Sequence, residues 1–417
     1  MLARAITTQQ LFKTEDKADF VKLDTLNDVP KVKYSYHTCM AVYPENPRMK
    51  KMVYSHTEIA KMVERNANKI RELGVKPREA VALVIPNGVE AAIMFMSLQW
   101  AAVIAVPIDP NLPFDLIKRV VTDTKCRVIV SPVPDEEEKE EDELYNNVEK
   151  FSKESGIISW HSFFTRNSGV DFESHGVRAA PFAAWHEGNK DLTLDPREVA
   201  LRVVVPLKGK NLVLSLRQED YCYAIRSFAE AYELEEGSMT VLSSPVYSLQ
   251  GLLVMMAVLY TGGGIVIQAG GTFSPALFWN NVKDDKVSWA SLTSSQLLAL
   301  AEITRDDNVK ITPAMKLKFV RSCPGFLPKS EVTEIEKILQ CPVLEAYGPP
   351  EASGTATGNT LSAKKLGTLG KPLKGVDVGV FDLVTKERKG ANERGFIAVR
   401  GENVVDSGYD NDPEECK

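Results

Sequence analysis

The sequence predicts an α/β protein: two doubly wound subdomains followed by a small strand-rich unit. Three observations carry this. Between Val81 and Ser131, short β-type runs alternate with helical stretches, the pattern of a parallel sheet flanked by helices. The same alternation returns between Thr240 and Tyr347. From Leu366 onward, short alternating segments separated by glycines take over. With 417 residues the chain exceeds one ordinary core, so several packed units are expected. We place them at 1–45 (an N-terminal extension), 46–195 (with an acidic insertion), 196–350 and 351–417.

Each element has a local reason. Ser55-His56-Thr57-Glu58 is a capping box, and Ile59, Met62, Val63, Ile70 and Leu73 recur at helical spacing until Gly74 closes the helix. Val81–Ile85 is a strand ended by Pro86-Asn87-Gly88. A helix to Ala101, a strand over Val103–Val106, a helix from Pro113 and a strand over Arg127–Ser131 follow. Asp135–Glu143 is an acidic run read as a solvated linker, with a docking site for a basic partner as the alternative. From there to Pro196 periodicity is weak and aromatics such as Trp160, Phe163, Phe164 and Trp185 are scattered. We read that region as surface connections lying over the first sheet. His161, His175 and His186 have no acid or cysteine at ligand spacing and read as core or surface histidines.

Further on, Tyr221–Tyr232 reads as a helix, Thr240–Leu242 as a strand and Leu252–Leu259 as a buried helix. A turn at Gly262–Gly264 leads into the strand Ile265–Ile267, and Val287–Ala290 and Lys318–Val320 add strands. In Pro342–Thr357 (PVLEAYGPPEASGTAT) the apolar Val343-Leu344 runs into a turn at Tyr347-Gly348, followed by a lone acid, Glu351. That form presents a carboxylate at the carboxyl edge of a strand, where open α/β sheets hold their ligands.

Composition narrows the function. Hydrophobic and charged contents of 44% and 25% are those of a soluble globular protein. A net charge of −6 and the lack of a basic stripe with interleaved aromatics argue against nucleic-acid binding. Six cysteines without a CxxC pair read as buried thiols, not as a metal site or disulfide framework. The most apolar run, Ala91–Ile108, contains Gln99 and Pro107 and reads as a buried helix plus strand, so no membrane span is expected. Met1–Lys13 has two basic residues, no acid and apolar residues at helical spacing. It suits a short mitochondrial presequence. As a docked terminal segment instead, it would leave a cytoplasmic or peroxisomal location open.

The stretch around Tyr347 resembles the Tyr-Gly-x-Thr-Glu motif of the adenylate-forming enzymes, the superfamily of acyl-CoA synthetases, luciferases and peptide-synthetase adenylation domains. GVKPREAVALVIPNGVEAAIMF and AVPIDPNLP resemble two architectural segments of that family. The segments between Leu366 and Glu414 resemble its small β-barrel, and FVRSC and PVLEAY are most similar to oxalate and fatty-acid CoA ligases. The resemblance implies the large N-terminal domain of the acyl-CoA synthetase fold: two αβ subdomains plus a small β-barrel, with the family's C-terminal domain absent from this chain. It implies ATP with Mg²⁺, and CoA, as cofactors. Tyr347, Gly348, Glu351 and Gly325 fall at nucleotide-binding positions, and Glu351 at that of the Mg²⁺ ligand.

Several positions depart from the family. Pro350 stands where the motif has a threonine. The phosphate loop is replaced by Val205-Pro206-Leu207-Lys208-Gly209-Lys210, in which only Gly209 and Lys210 match and no hydroxyl remains. Such a loop works through small residues that expose consecutive N–H groups, so a hairpin turn is predicted instead. Tyr247 replaces the histidine that gates the acyl site. In Arg321–Pro328, Phe326 occupies a small-residue position, where it either crowds the adenine site or points into the core.

Each lost electrostatic element of this kind is worth about 10²–10³ in rate. The sequence therefore favours a catalytically inactive family member that binds no cofactor or metal. Glu351 is then left to cap a helix or pair with a basic residue. Its role would be that of an accessory subunit, with other protein subunits covering the face vacated by the missing C-terminal domain. A nucleotide or acyl/CoA sensor is one alternative. A ligase whose C-terminal domain is missing from this chain, with ATP, Mg²⁺ and CoA retained, is the other.

Overall fold

The computed structural model describes residues 25–26, 37–45, 48–134, 139–165, 169–175, 195–207, 209–306 and 309–412. Met1–Lys13 and His186 lie outside them, as does most of the weakly periodic stretch before Pro196.

Two sheets and nine helices of these residues stack in five alternating layers. The first sheet contains β3 (Ala80–Leu83), β4 (Ile104–Pro107), β5 (Cys126–Pro132), β6 (Ile158–Thr165), β7 (Gly169–His175), β8 (Val199–Leu207) and β9 (Lys210–Arg217). Their order is β7-β6-β5-β3-β4-β8-β9. The five inner strands are parallel, and an antiparallel hairpin closes each edge.

The second sheet begins with β1 (Thr38–Val42) and β2 (Met52–Ser55), which join β10 (Met239–Val241) and β11 (Gly264–Ile267) in the order β10-β11-β1-β2. A single parallel bridge, Met239 to Val287, leads on to β12 (Trp289–Leu292), β13 (Phe319–Ser322) and β14 (Val343–Tyr347). Antiparallel β15 (Thr357–Gly358) and β16 (Lys371–Pro372) extend that edge. The last unit carries the hairpin of β17 (Val376–Phe381) and β18 (Phe396–Gly401).

Helices α1 (His56–Glu72), α2 (Val89–Trp100), α5 (Gln218–Ala231) and α6 (Leu249–Tyr260) lie between the sheets in one continuous apolar core. There Val81, Leu83, Val128 and Val130 of the first sheet meet the layer that Ile265, Phe319 and Leu344 of the second face from the other side. Helices α3 (Phe114–Asp123) and α4 (Glu143–Ser155) cover the outer face of the first sheet. Helices α7 (Pro275–Asp284), α8 (Ser294–Asp306) and α9 (Lys329–Leu339) cover that of the second. Strand periodicity enforces this: Ala80 and Ala82 face one helical layer, Val81 and Leu83 the other. The capping box of α1 forms as read, with Ser55 and Glu58 exchanging hydrogen bonds.

Three features differ from the sequence reading. The 143–175 region is not a set of surface connections: α4, β6 and β7 build the edge of the first sheet, with Trp160 fully buried. Buried polar residues in β6 hid its alternation. His161 is one of them, buried between Ser131 Oγ (3.0 Å) and Glu149 Oε1 (2.9 Å). Strand β1, placed in the N-terminal extension, pairs with β11 and β2 in the second sheet. The β8–β9 hairpin, placed beyond residue 196 with the second unit, belongs to the first sheet.

The two sheets are stapled at their carboxyl edges by Asn87, in the loop after β3. Its Oδ1 accepts from Val246 N–H at 2.9 Å, and its amide donates to the Gly271 carbonyl. Residue 271 must be glycine, since a Cβ there would lie 1.7 Å from the Asn87 oxygen at a φ of 66°. Asn87→Ala strands both backbone groups and is expected to cost about 1–3 kcal/mol of stability, measured by urea unfolding.

Candidate active site

Strand β14 ends at Tyr347, and the chain turns back sharply toward β15. Residue 348 has to be glycine, because a Cβ would lie 2.0 Å from Gly354 O. The Pro349 carbonyl accepts from the N–H groups of Ala352 (3.0 Å) and Gly354 (3.1 Å), and Tyr347 O accepts from Ala356 N–H at 2.9 Å. Pro350 opens a one-turn 3₁₀ helix, Pro350–Ala352, where a missing N–H is harmless. The turn therefore keeps its shape although the threonine hydroxyl of the resemblance is gone.

The C-terminal segment clamps this turn. Asn403 Nδ2 donates to Ala352 O (2.9 Å) and Thr355 O (2.5 Å), Ser353 Oγ donates to Asn403 O (2.8 Å), and Val405 N–H donates to Glu351 O (2.9 Å). The Tyr409 hydroxyl donates to the Glu351 carboxylate. Glu351 is thus bound by a phenol, where the sequence reading gave it a helix cap or a basic partner. Burial, and the Glu351 charge after it, raise the Tyr347 phenol above its ordinary value of 10.0.

Tyr409 also bridges to Leu214 of β9, so the Glu351 turn and the β8–β9 hairpin meet on one segment. In that hairpin Leu207 pairs with Lys210, and Gly209 has a φ of 74°. The predicted hairpin is present where the family's phosphate loop would be. Lys210 Nζ donates to Asp412 at 2.6 Å.

On the other side of the turn, Tyr247 sits half-buried before α6. Burial and then the Asp109 charge push its phenol up. Gly251 holds this bend, since a Cβ would lie 2.1 Å from Pro245 O. Gly325 follows β13 with a φ of 117°, pressed against Ser294. Phe326 is 56% exposed and does not point into the core. The backbone there presents it outward while Leu327, next to it, is buried.

Five residues escaped the sequence reading: Arg321, Gln250, Glu345, Asn403 and Tyr409. Arg321 (in FVRS) and Glu345 (in VLEAY) are charged residues inside buried strands, and that was the available signal. Glu345 Oε1 accepts from Leu327 N–H at 3.1 Å and ties the two strand-end loops together. Gln250 Nε2 donates to Gly354 O at 2.6 Å, while its Oε1 accepts from Arg321.

Glu351 fits as one protein ligand of a Mg²⁺ ion that phosphate oxygens and water otherwise complete. The turn of the β8–β9 hairpin, Val205–Lys210, does not fit as a triphosphate cradle, for it carries no hydroxyl and a proline removes a donor. Among the described residues, no three His, Cys, Asp or Glu gather as a metal site.

Residues 37–198 and 207–409 match the AMP-binding enzyme family. The chain belongs to that family. An oxalate–CoA ligase of Arabidopsis thaliana is 27% identical over 374 residues, covering 87% of this chain and 68% of that protein. The chain thus spans about two thirds of this relative's length. A long-chain-fatty-acid-CoA ligase of Archaeoglobus fulgidus shares the fold at a TM-score of 0.76 and 18% identity, over 94% of this chain and 77% of that one. The N-terminal domain of a Mycobacterium tuberculosis protein, FACL13, solved with an inhibitor, aligns at 0.72 and 14% identity over 94% of this chain and 92% of that one. The α/β architecture expected of an acyl-CoA synthetase large domain is therefore present.

Burial raises the Glu345 carboxyl above its ordinary value of 4.5. The folded state binds this proton more tightly than the unfolded one, so the contribution to stability is full below pH 4.5 and is lost as pH rises through the raised value. Glu345→Gln keeps an acceptor for Leu327. It is expected to remove that decline, so the wild-type-minus-variant difference in urea midpoint falls with pH above 4.5.

Proposed function

We propose that this chain is the acid- and nucleotide-binding large domain of an AMP-dependent acid–CoA ligase, with the C-terminal domain of that enzyme supplied from outside residues 1–417. The observation that carries the reading is Glu351, held rigidly at the carboxyl edge of β14 between the Tyr347 turn and Tyr409. In this reaction the acid's carboxylate attacks the α-phosphate of ATP, pyrophosphate leaves, and the CoA thiol then displaces AMP from the acyl-adenylate. Mg²⁺, when bound, neutralises the nucleotide phosphates. Glu351 would hold that ion, Tyr347 and Gly325 would flank the nucleotide, and Tyr247 would border the acid. Oxalate, named for the Arabidopsis relative, is the first acid to test.

A second reading has its own observation. The two-residue connection between Leu207 and Lys210 and the loss of the threonine at Pro350 favour a catalytically inactive member, either an accessory subunit with protein partners or a nucleotide or acyl/CoA sensor.

Pyrophosphate exchange separates the two, assayed with oxalate and with short, medium and long fatty acids in the presence of an added family C-terminal domain, which the first reading requires. Carboxylate-dependent exchange that drops about 10²–10³-fold in Glu351→Gln is the expected result for the ligase. No carboxylate-dependent exchange with the C-terminal domain present supports the second reading, and acid binding without exchange supports its sensor form.

A further inference from the structure

Arg321 lies fully buried on β13, between the second sheet and helices α5 and α6. Its hydrogen-bond partners are all neutral: Ser291 Oγ at 3.0 Å, the Tyr232 hydroxyl at 3.2 Å and Gln250 Oε1 at 3.2 Å. The rings of Phe228 and Tyr232 face the guanidinium at 4.9 and 5.6 Å, and Cys323 lies beside it. Its Nη2 has no partner among the described residues. A guanidinium stays charged at every accessible pH, and burying a charge without a counter-ion is among the costliest arrangements in a protein.

The nearby buried carboxylate cannot serve. Arg321 is in register with Leu344, whereas Glu345 is in register with Ser322, so the acid faces the opposite side of the sheet. There it is bound by Leu327.

Gln250 connects this cation to the active-site edge. Its Oε1 faces Arg321, while its Nε2 donates to Gly354 O at 2.6 Å and reaches Gly348 O at 3.5 Å. The guanidinium is therefore one side chain behind the turn that presents Glu351. We propose that Arg321 recognises a second anionic group on the bound acid, so that the acid is a small dicarboxylate. One carboxylate stays at the strand edge beside Glu351, free to react. The other exchanges for the neutral amide oxygen of Gln250 and gives Arg321 its missing counter-ion, a charge-assisted bond that guanidinium geometry favours. A monocarboxylate cannot fill both positions.

This inference rests on the acid-ligase reading, and calorimetric titration of the full chain can separate the two. Oxalate, malonate and succinate are compared with acetate, propionate and butyrate, in wild type, Arg321→Met and Gln250→Glu. At least one dicarboxylate is expected to bind wild type about tenfold more tightly than the monocarboxylate of equal length. The ratio falls to about one in Arg321→Met, which also removes an uncompensated charge. Gln250→Glu supplies an internal counter-ion. It is expected to raise the Tm and weaken dicarboxylate binding, and it keeps the test decisive should Arg321→Met fold poorly. A preference for monocarboxylates, or a dicarboxylate preference that survives in the variants, overturns this inference alone. If neither class of acid binds, the acid-ligase reading falls with it.

Discussion

The central helical layer is the constraint on which the rest of the molecule depends. Helices α2 and α6 are apolar on almost every side because each has a sheet above and another below. A helix packed on every side cannot rotate or slide without opening voids or forcing its side chains into overlap. The two sheets are therefore fixed in relative position by one shared core, and so are their carboxyl edges. What the sequence shows as two successive αβ units is physically a single packed body with a seam for ligands along one side.

Few polar groups are needed to finish such a seam, and each does so by spanning it. Asn87 joins the loop after β3 to the bends at Val246 and Gly271. Gln250 joins α6 to the Glu351 turn, and Glu345 joins the ends of β13 and β14. These side chains hold backbone carbonyls and N–H groups that would otherwise be orphaned at a sheet edge. Arg321 differs in kind. Its neutral partners fall short of its charge, and that excess is what marks it as a recognition group and not a strut.

The fold was legible where periodicity is strong. The βαβ alternation from Val81 to Ser131, the Ser55 capping box and the tight Val205–Lys210 hairpin all depend on residues near in sequence. The edge strands β6 and β7 were not legible, because Ser159, His161 and Ser162 are polar yet buried, satisfied by partners such as Glu149 and Glu90 that only the fold supplies. Strand β1 escaped because its neighbour β11 lies over 200 residues away. In the site, motif spacing located Tyr347, Gly348 and Glu351. The clamp by Asn403 and Tyr409 spans about 50 residues and leaves no local pattern.

The two sides of the site differ. On the phosphate side the loop has shortened to a hairpin, and its lysine is engaged by Asp412. On the other side, the glycine-dependent turn, Gln250 and the buried guanidinium form one hydrogen-bonded network. A purely structural role gives an uncompensated buried charge no purpose, since a hydrophobic replacement of similar size is neutral or stabilising. An uncompensated guanidinium beside that turn is what gives the ligand-binding readings weight over a purely structural role.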